Sequence, residues 1–366
     1  MNNKIKLSDF FVQLQQIDFG HLLYLLSPTI IYFIARKPIE SNYRLKKDFR
    51  IGNVKTAALP TEVIRNFDDI NEEEILKKQF GELIMKFVKI VKENIPEINL
   101  AIFINNLNTL QTSTKNFKII NSIFNRSTEG QYIPENNAIE LSENNYNITI
   151  NHELFHASTT INDKDTEMIY CGFQQISNKK KKIGEGLNEG YTQYLTEKYF
   201  GKENSLNTAY TYEKRIAETL EIIVGKEKMQ SLYFNANLHG LVEYLKKYAP
   251  EYDIYKFIST LDFLNEHMGD KYLIPSSKEM IKSGYKFINS FLIKTALRKN
   301  IIDNPASQLS TEEVFKCLIP ILTLIPNSVK SKNDSFQISD DNLIHDAFTS
   351  VLSEYEMSDD RRTISK

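Results

Sequence analysis

The chain has 366 residues, of which 41% are hydrophobic and 25% charged, and its formal net charge is −2. These values are ordinary for a soluble globular protein, and the lack of a strongly basic balance argues against a nucleic-acid binder. The two cysteines, Cys171 and Cys317, lie far apart and have no CxxC partner. This excludes a disulfide framework and a thiolate zinc knuckle, and it favours a reducing, cytoplasmic compartment.

Residues 1–70 are predicted to form an N-terminal helical segment around one apolar stretch, residues 19–35. That stretch is about as long as the shortest membrane-spanning helix, but it contains Gly20 and Pro28. Proline more naturally ends or begins a helix than lies in the middle of a bilayer. We therefore interpret the stretch as buried helices of a soluble protein, with a membrane anchor as the alternative.

Two helices are predicted in the next part of the chain. Residues 71–95 carry acidic residues in the first turn and apolar residues at helical spacing, up to Pro96. This pattern predicts one amphipathic helix. A second helix is predicted through "LAIFINNLNTL", residues 100–110.

Short strands are predicted around residues 117–186. A Gly, a Pro and an Asn pair flanked by alternating runs predict a hairpin in which "AIELS" (138–142) is one strand. Further on, "TEMIYCGFQQ" (166–175) and "KKIGEG" (181–186) are predicted as strands around a lysine-rich turn. From residue 188 onward the pattern is helical nearly to the end.

The motif "HELFH" comprises His152, Glu153 and His156. On an α-helix, residues four apart project from one face, so both imidazoles can reach one metal ion. The glutamate stays beside the open coordination position, where it can take a proton from metal-bound water. Imidazole pairs suit zinc, and a catalytic zinc needs a third protein ligand. A chance match on a surface helix is the alternative interpretation.

Three candidates exist for the third ligand. A known extension of the motif places Gly and then His where this chain has Thr159 and Asn162, so that version fails. Asp163 and Asp165 follow closely but lie where the helix should end. The third candidate is the segment "GEGLNEGYTQYLTEKYF", residues 184–200, which returns to a helical pattern after a predicted hairpin.

That segment offers Glu185 and Glu189, and we favour Glu189. We expect Glu189 to open the helix, and a polar stripe of threonines and Gln193 follows it at helical spacing. Such a stripe suits a helix that lines a cleft. Glu185 precedes a glycine and is better placed as a loop carboxylate.

Together, "HELFH" and "GLNEGYTQYL" resemble the gluzincin metallopeptidases, the group of thermolysin-like and aminopeptidase N-like enzymes. The resemblance covers about residues 130–200. With the patterns along the chain it leads us to expect an α+β, mostly helical fold, in which a catalytic core (71–204) with a small sheet is followed by a helical C-terminal subdomain (205–366); the resemblance implies that the core is zincin-like. It also likens "AIELS" to the edge strand that runs along the substrate cleft.

Carried over by position, the resemblance implies one Zn²⁺ held by His152, His156 and Glu189, with Glu153 as general base in peptide hydrolysis. Relatives often have an acidic residue where this chain has Gln193, so Asn188 or Glu213 is expected to orient a ligand instead. The family also stabilises the oxyanion with a Tyr or His. Candidates for that stabiliser are Tyr210, Tyr212 and His239.

The sequence thus predicts a cytoplasmic zinc metallopeptidase acting on a peptide or protein substrate, without a nucleic-acid partner. The alternatives are a catalytically idle zinc-stabilised module that binds a partner protein, and a peptidase anchored through residues 19–35. The intact Glu153 argues against the idle module, since a structural zinc site has no use for that carboxylate.

Overall fold

In a computed structural model of the chain, the structure is described for ten ranges of residues. They are 51–52, 66–117, 129–143, 146–202, 210–267, 275–304, 311–326, 328–330, 335–337 and 341–364. The described part is mostly helical with small sheets, which confirms the α+β prediction in this general form. The domain limits at 70 and 204 stay predictions.

The first half of the described chain alternates short helices with short strands. The helices are α1 (Glu72–Lys77), α2 (Gly81–Asn94), α3 (Leu100–Thr109), α4 (Tyr146–Ser158) and α5 (Glu185–Phe200). The strands are β1 (Gln111–Thr114), β2 (Gly130–Ile133), β3 (Ala138–Leu141), β4 (Thr160–Asp163), β5 (Met168–Cys171), β6 (Gln174–Ile176) and β7 (Lys182–Ile183).

The second half is helical apart from one hairpin. Its helices are α6 (Thr211–Val224), α7 (Lys226–Phe234), α8 (Leu238–Leu245), α9 (Glu251–His267), α10 (Pro275–Asp303), α11 (Thr311–Leu324) and α12 (Asp341–Ile364). The hairpin pairs β8 (Ser328–Lys330) with β9 (Ser335–Gln337), which the prediction of continuous helix missed. No helix in the described ranges is long and apolar enough to cross a membrane, and the stretch 19–35 lies outside them.

The predicted helix 71–95 is wrong as a single element, because the chain breaks between α1 and α2. Phe80 adopts φ +70, and Gly81 lies so close to the Ile75 carbonyl that a Cβ there would stand 2.4 Å from its oxygen. The Lys78 Nζ donates to the carbonyls of Asn108 and Leu110 at the end of α3. This long-range contact with α3 accompanies the break, and the local apolar pattern of 71–95 does not reveal it.

The first sheet has the order β1-β3-β2, so the predicted strand "AIELS" is central rather than at the edge. It pairs in parallel with β1 and antiparallel with β2, which confirms the hairpin but corrects the expected edge position. The polar run of β1 gave no strand signal in the sequence. The edge beside α4 is β2, where a Cβ on Gly130 would stand 2.5 Å from the Thr149 side chain.

The second sheet has the order β4-β5-β6-β7 and connects α4 to α5. The segment 166–175 forms two antiparallel strands instead of one, because the chain turns at Gly172, where φ is +55. A Cβ at Gly172 would stand 2.3 Å from the Asn188 Oδ1. The turn therefore requires glycine and brings β5 and β6 against α5.

Aromatic side chains pack beneath α4. The Phe87 ring lies 4.9 Å from that of Phe155 and stacks on that of Phe200 at 5.4 Å. Phe155 also contacts Phe234, at 6.3 Å. Because such pairs each contribute about 0.5–1.5 kcal/mol beyond their buried area, this cluster fixes α4 against α2, α5 and α7.

Helix α5 is held at two places by the helical part of the chain that follows it. The Asp262 carboxylate on α9 accepts hydrogen bonds from the backbone N–H groups of Gly184 and Gly186, at 2.8 and 2.9 Å. An acidic group at a helix start satisfies free N–H groups and favours the helix dipole. Further along, Gly190 allows α6 to approach, since a Cβ there would stand 2.4 Å from the Glu213 backbone.

Candidate metal centre

The two histidines of "HELFH" lie on one face of α4 and are almost fully buried. The Nε2 atoms of His152 and His156 are 3.1 Å apart, and the ring centroids are 4.8 Å apart. Leu154 and Phe155 on the same helix are completely inaccessible as well, so α4 is buried on more than one face. The helix therefore carries its imidazoles inside the molecule.

Glu189 on α5 completes a triangle with these two nitrogens. Its Oε2 lies 3.1 Å from the Nε2 of His152 and 3.4 Å from that of His156. A tetrahedral ion with bonds of about 2.0–2.1 Å separates its donor atoms by about 3.3 Å. The three donors therefore fit a metal ion, and among the described residues they form a group that could hold one.

The charges within the triangle favour the ionised form of Glu189. Burial opposes the charge of Glu189, but His156 and His152 hold its pKa far below the usual range. Burial likewise opposes the charge of His156, but Glu189 and then Cys171 raise its pKa well above the usual range. Glu189 is therefore a carboxylate at neutral pH, as a metal ligand must be.

The other candidates for a third ligand lie elsewhere. Glu185 is exposed in part and pairs with the Lys182 ammonium at 2.6 Å. Asp163 accepts the backbone N–H groups of Asp165 and Thr166 in the turn between β4 and β5. Glu189 does not open its helix as expected, because α5 begins one turn earlier at Glu185.

Gln193 faces the ring of His152, with its Oε1 3.2 Å from the Nδ1. Its Nε2 donates to Glu197 at 3.0 Å. The Gln193 amide thus contacts His152, a contact that the sequence-based expectation of Asn188 or Glu213 did not include. Gln193 follows Glu189 by one helical turn, and this spacing was the sequence signal that could have predicted its contact with His152.

Asn188 contacts the other histidine. Its Nδ2 lies 3.2 Å from the Nδ1 of His156, and its Oδ1 accepts the backbone N–H of Phe173 at 3.0 Å. Asn188 is completely buried. It therefore joins α5, the turn after β5 and the face of α4 that carries the two histidines.

Glu153 lies beside the triangle and is 6% exposed. Burial raises its pKa, although His152, His156 and the backbone N–H of Tyr132 act in the opposite direction. The backbone N–H of Ser142 donates to the Glu129 carbonyl at 2.7 Å, so residues 129 and 142 form a hydrogen-bonded pair. In an antiparallel ladder such pairs alternate with pairs that are not hydrogen-bonded, and Tyr132 with Ile139 is one of the latter. The backbone groups of Tyr132 consequently point away from β3, and its N–H is directed toward the Glu153 carboxylate, whose pKa it lowers.

Of the three candidate oxyanion stabilisers, Tyr210 is the one that lies against a histidine of the triangle. Its ring stacks on that of His152 at 5.7 Å and 14°, and its backbone has φ +55 just before α6. The charges of Glu189, burial and Glu153 raise its pKa well above the usual range, so it keeps its proton. Tyr212 instead donates to Asn289 at 3.3 Å, and His239 lies on α8, one turn before Glu243.

Glu213 is buried under Gly190 and is 1% exposed. One of its carboxyl oxygens has no hydrogen-bond partner in the described part of the chain. Burial, and then the charge of Glu189, raise its pKa to about 7. It does not contact a histidine in the way that Gln193 and Asn188 do.

Replacing Glu213 by glutamine should change how stability depends on pH. Between its ordinary pKa of 4.5 and about 7, the folded chain keeps a proton that the unfolded chain has lost. The free energy of unfolding should therefore fall as pH rises through this window, by on the order of 3 kcal/mol. Glu213→Gln removes this contribution and should be the more stable chain at pH 8.

The measurement is denaturant unfolding of the metal-free chain at pH 5 and pH 8. Glu185→Gln serves as the control, because that carboxylate is partly exposed. Equal pH dependence for the parent chain and Glu213→Gln would contradict the prediction.

Comparison of the chain with protein-family models, with curated proteins and with solved structures finds no match. What bears on function is therefore the geometry around His152, His156 and Glu189, together with the motifs that contain them.

Proposed function

We propose that the chain is a zinc-dependent peptidase of gluzincin type. One observation carries the proposal: two buried histidines and the partly buried Glu189 form a group that could hold a metal ion, and a buried carboxylate, Glu153, lies beside that group. A structural metal site gains nothing from such a carboxylate. A hydrolytic site needs it as a base.

Zinc is the ion that suits the donors best. Two imidazole nitrogens and one carboxylate oxygen are the donor set of several catalytic zinc sites, in which a fourth position stays open for water or substrate. Oxygen-only ligands would have favoured magnesium or calcium instead. His152, His156 and Glu189 would hold the ion.

A bound zinc ion would lower the pKa of a coordinated water and polarise the substrate carbonyl. Glu153 accepts the proton of the attacking water and later delivers it to the leaving amine. Gln193 keeps the ring of His152 in position.

Strand β2 is the candidate surface for the substrate backbone. Among the strands that the structure describes it is an edge of its sheet, and the backbone groups of Tyr132 point away from β3 and toward Glu153. An extended peptide could add to such an edge by main-chain hydrogen bonds. In this arrangement the Tyr210 hydroxyl is the candidate donor to the developing oxyanion.

The proposal is tested by metal content and hydrolysis of the full chain. We expect one zinc per chain, hydrolysis of a broad peptide library or of an unfolded protein, loss of that hydrolysis with a chelator, and its return when zinc is added back. Tight zinc binding without any hydrolysis would overturn the proposal and favour the idle binding module.

A further inference from the structure

The proposed zinc site raises a question about the far side of the His156 ring. When a histidine binds a metal through Nε2, its Nδ1 carries the proton and needs a hydrogen-bond acceptor. That acceptor fixes both the tautomer and the orientation of the ring. In the structure two side chains lie near the His156 Nδ1, those of Asn188 and Cys171.

Asn188 is not available as the acceptor. Its Oδ1 already accepts the backbone N–H of Phe173 at 3.0 Å, so its amino group is what faces His156. An amide NH₂ donates and has no acceptor capacity. With zinc on the opposite nitrogen, the Asn188 contact would bring two donors together.

Cys171 offers the missing acceptor. Its Sγ lies 3.8 Å from the Nδ1 of His156 and 3.5 Å from the His156 carbonyl oxygen. A thiol is a weak donor and its sulfur a weak acceptor, so both contacts can form at once. The strand β5 fixes this placement, since Cys171 pairs with Thr160, two residues after α4 ends.

We propose that Cys171 is a positioning residue for the metal ligand His156. Its sulfur accepts the Nδ1–H, while its S–H donates to the carbonyl of the same residue. The ring is thereby held with Nε2 aimed at His152 and Glu189. The inference rests on the proposed zinc site but not on hydrolysis.

The test compares zinc affinities of full-length variants, measured by competition with a chromophoric chelator. Cys171→Ala should weaken zinc binding about 10–100-fold, the usual effect of losing a group that orients a ligand. The matched control is Ser158→Ala, which removes a completely buried hydroxyl at the end of α4 that donates to the Phe155 carbonyl at 2.7 Å. It should leave zinc affinity unchanged.

A second substitution separates positioning from general packing. Asn188→Asp supplies one oxygen for Phe173 and another for the Nδ1–H of His156. It should therefore strengthen zinc binding more in the Cys171→Ala background than in the parent chain. Equal gains in the two backgrounds, or undiminished zinc affinity in Cys171→Ala, would overturn the inference.

These outcomes are independent of catalysis. A chain that binds zinc and shows the Cys171 effect without hydrolysing peptides would overturn the proposed function and leave the positioning role intact. A hydrolytic chain whose zinc affinity ignores Cys171 would do the reverse.

Discussion

Replacing Glu153 by glutamine should abolish peptide hydrolysis while zinc remains bound. Glutamine keeps the shape and burial of the side chain but cannot accept the proton of the attacking water. Positioned general bases contribute about 10²–10⁴-fold to rate, so kcat should fall by that factor. The three donors His152, His156 and Glu189 are unchanged in this variant.

The measurement pairs zinc content with kcat on one peptide substrate. The control is Glu185→Gln, because it alters a partly exposed carboxylate that begins the same helix as Glu189 and pairs with Lys182. That control should keep both zinc and activity. If Glu153→Gln hydrolyses peptides at the parent rate, Glu153 is not the base.

Replacing Glu189 by alanine should lower zinc affinity far more than replacing any residue that only orients a ligand. Removal of an orienting group costs about 10–100-fold, and removal of a ligand that carries one of three protein donors should exceed 100-fold. The remaining histidines would hold the ion through two nitrogens only. The carboxylate charge that offsets the ion between two buried histidines would also be lost.

The experiment compares Glu189→Ala with Glu185→Ala by the same chelator competition. The two residues lie on one helix, one turn apart, so general damage to α5 would affect both variants. Loss of zinc in Glu185→Ala, with undiminished binding in Glu189→Ala, would mean that the ligand assignment is wrong.

The site could be predicted from the sequence as far as its residues depend on local spacing. His152 and His156 are one turn apart, and the segment "GLNEGYTQYL" suggested Glu189 on a second helix through its polar stripe and its resemblance to gluzincins. Cys171 carried no such signal. Its contact with His156 depends on the register of β5 with β4, which only the folded sheet defines.

The fold could be predicted where periodicity is strong and failed where distant contacts decide. The pattern of 71–95 is helical throughout, yet Lys78 turns to cap α3 and Phe80 leaves the helix. In the same way, "AIELS" reads correctly as a strand but its place in the sheet depends on β1. The polar letters of β1 resemble a loop.

Asp262 makes the position of Glu189 depend on a part of the chain that lies well beyond the motifs. The motifs that carry the three candidate donors are complete by residue 200, but the first turn of the helix carrying Glu189 is anchored 76 to 78 residues further on. Gly190 seats the same helix against the Glu213 backbone. A fragment that ends at residue 200 would contain every motif but would lack the contacts that hold Glu189 in place. We therefore expect such a fragment to lose the geometry of the site.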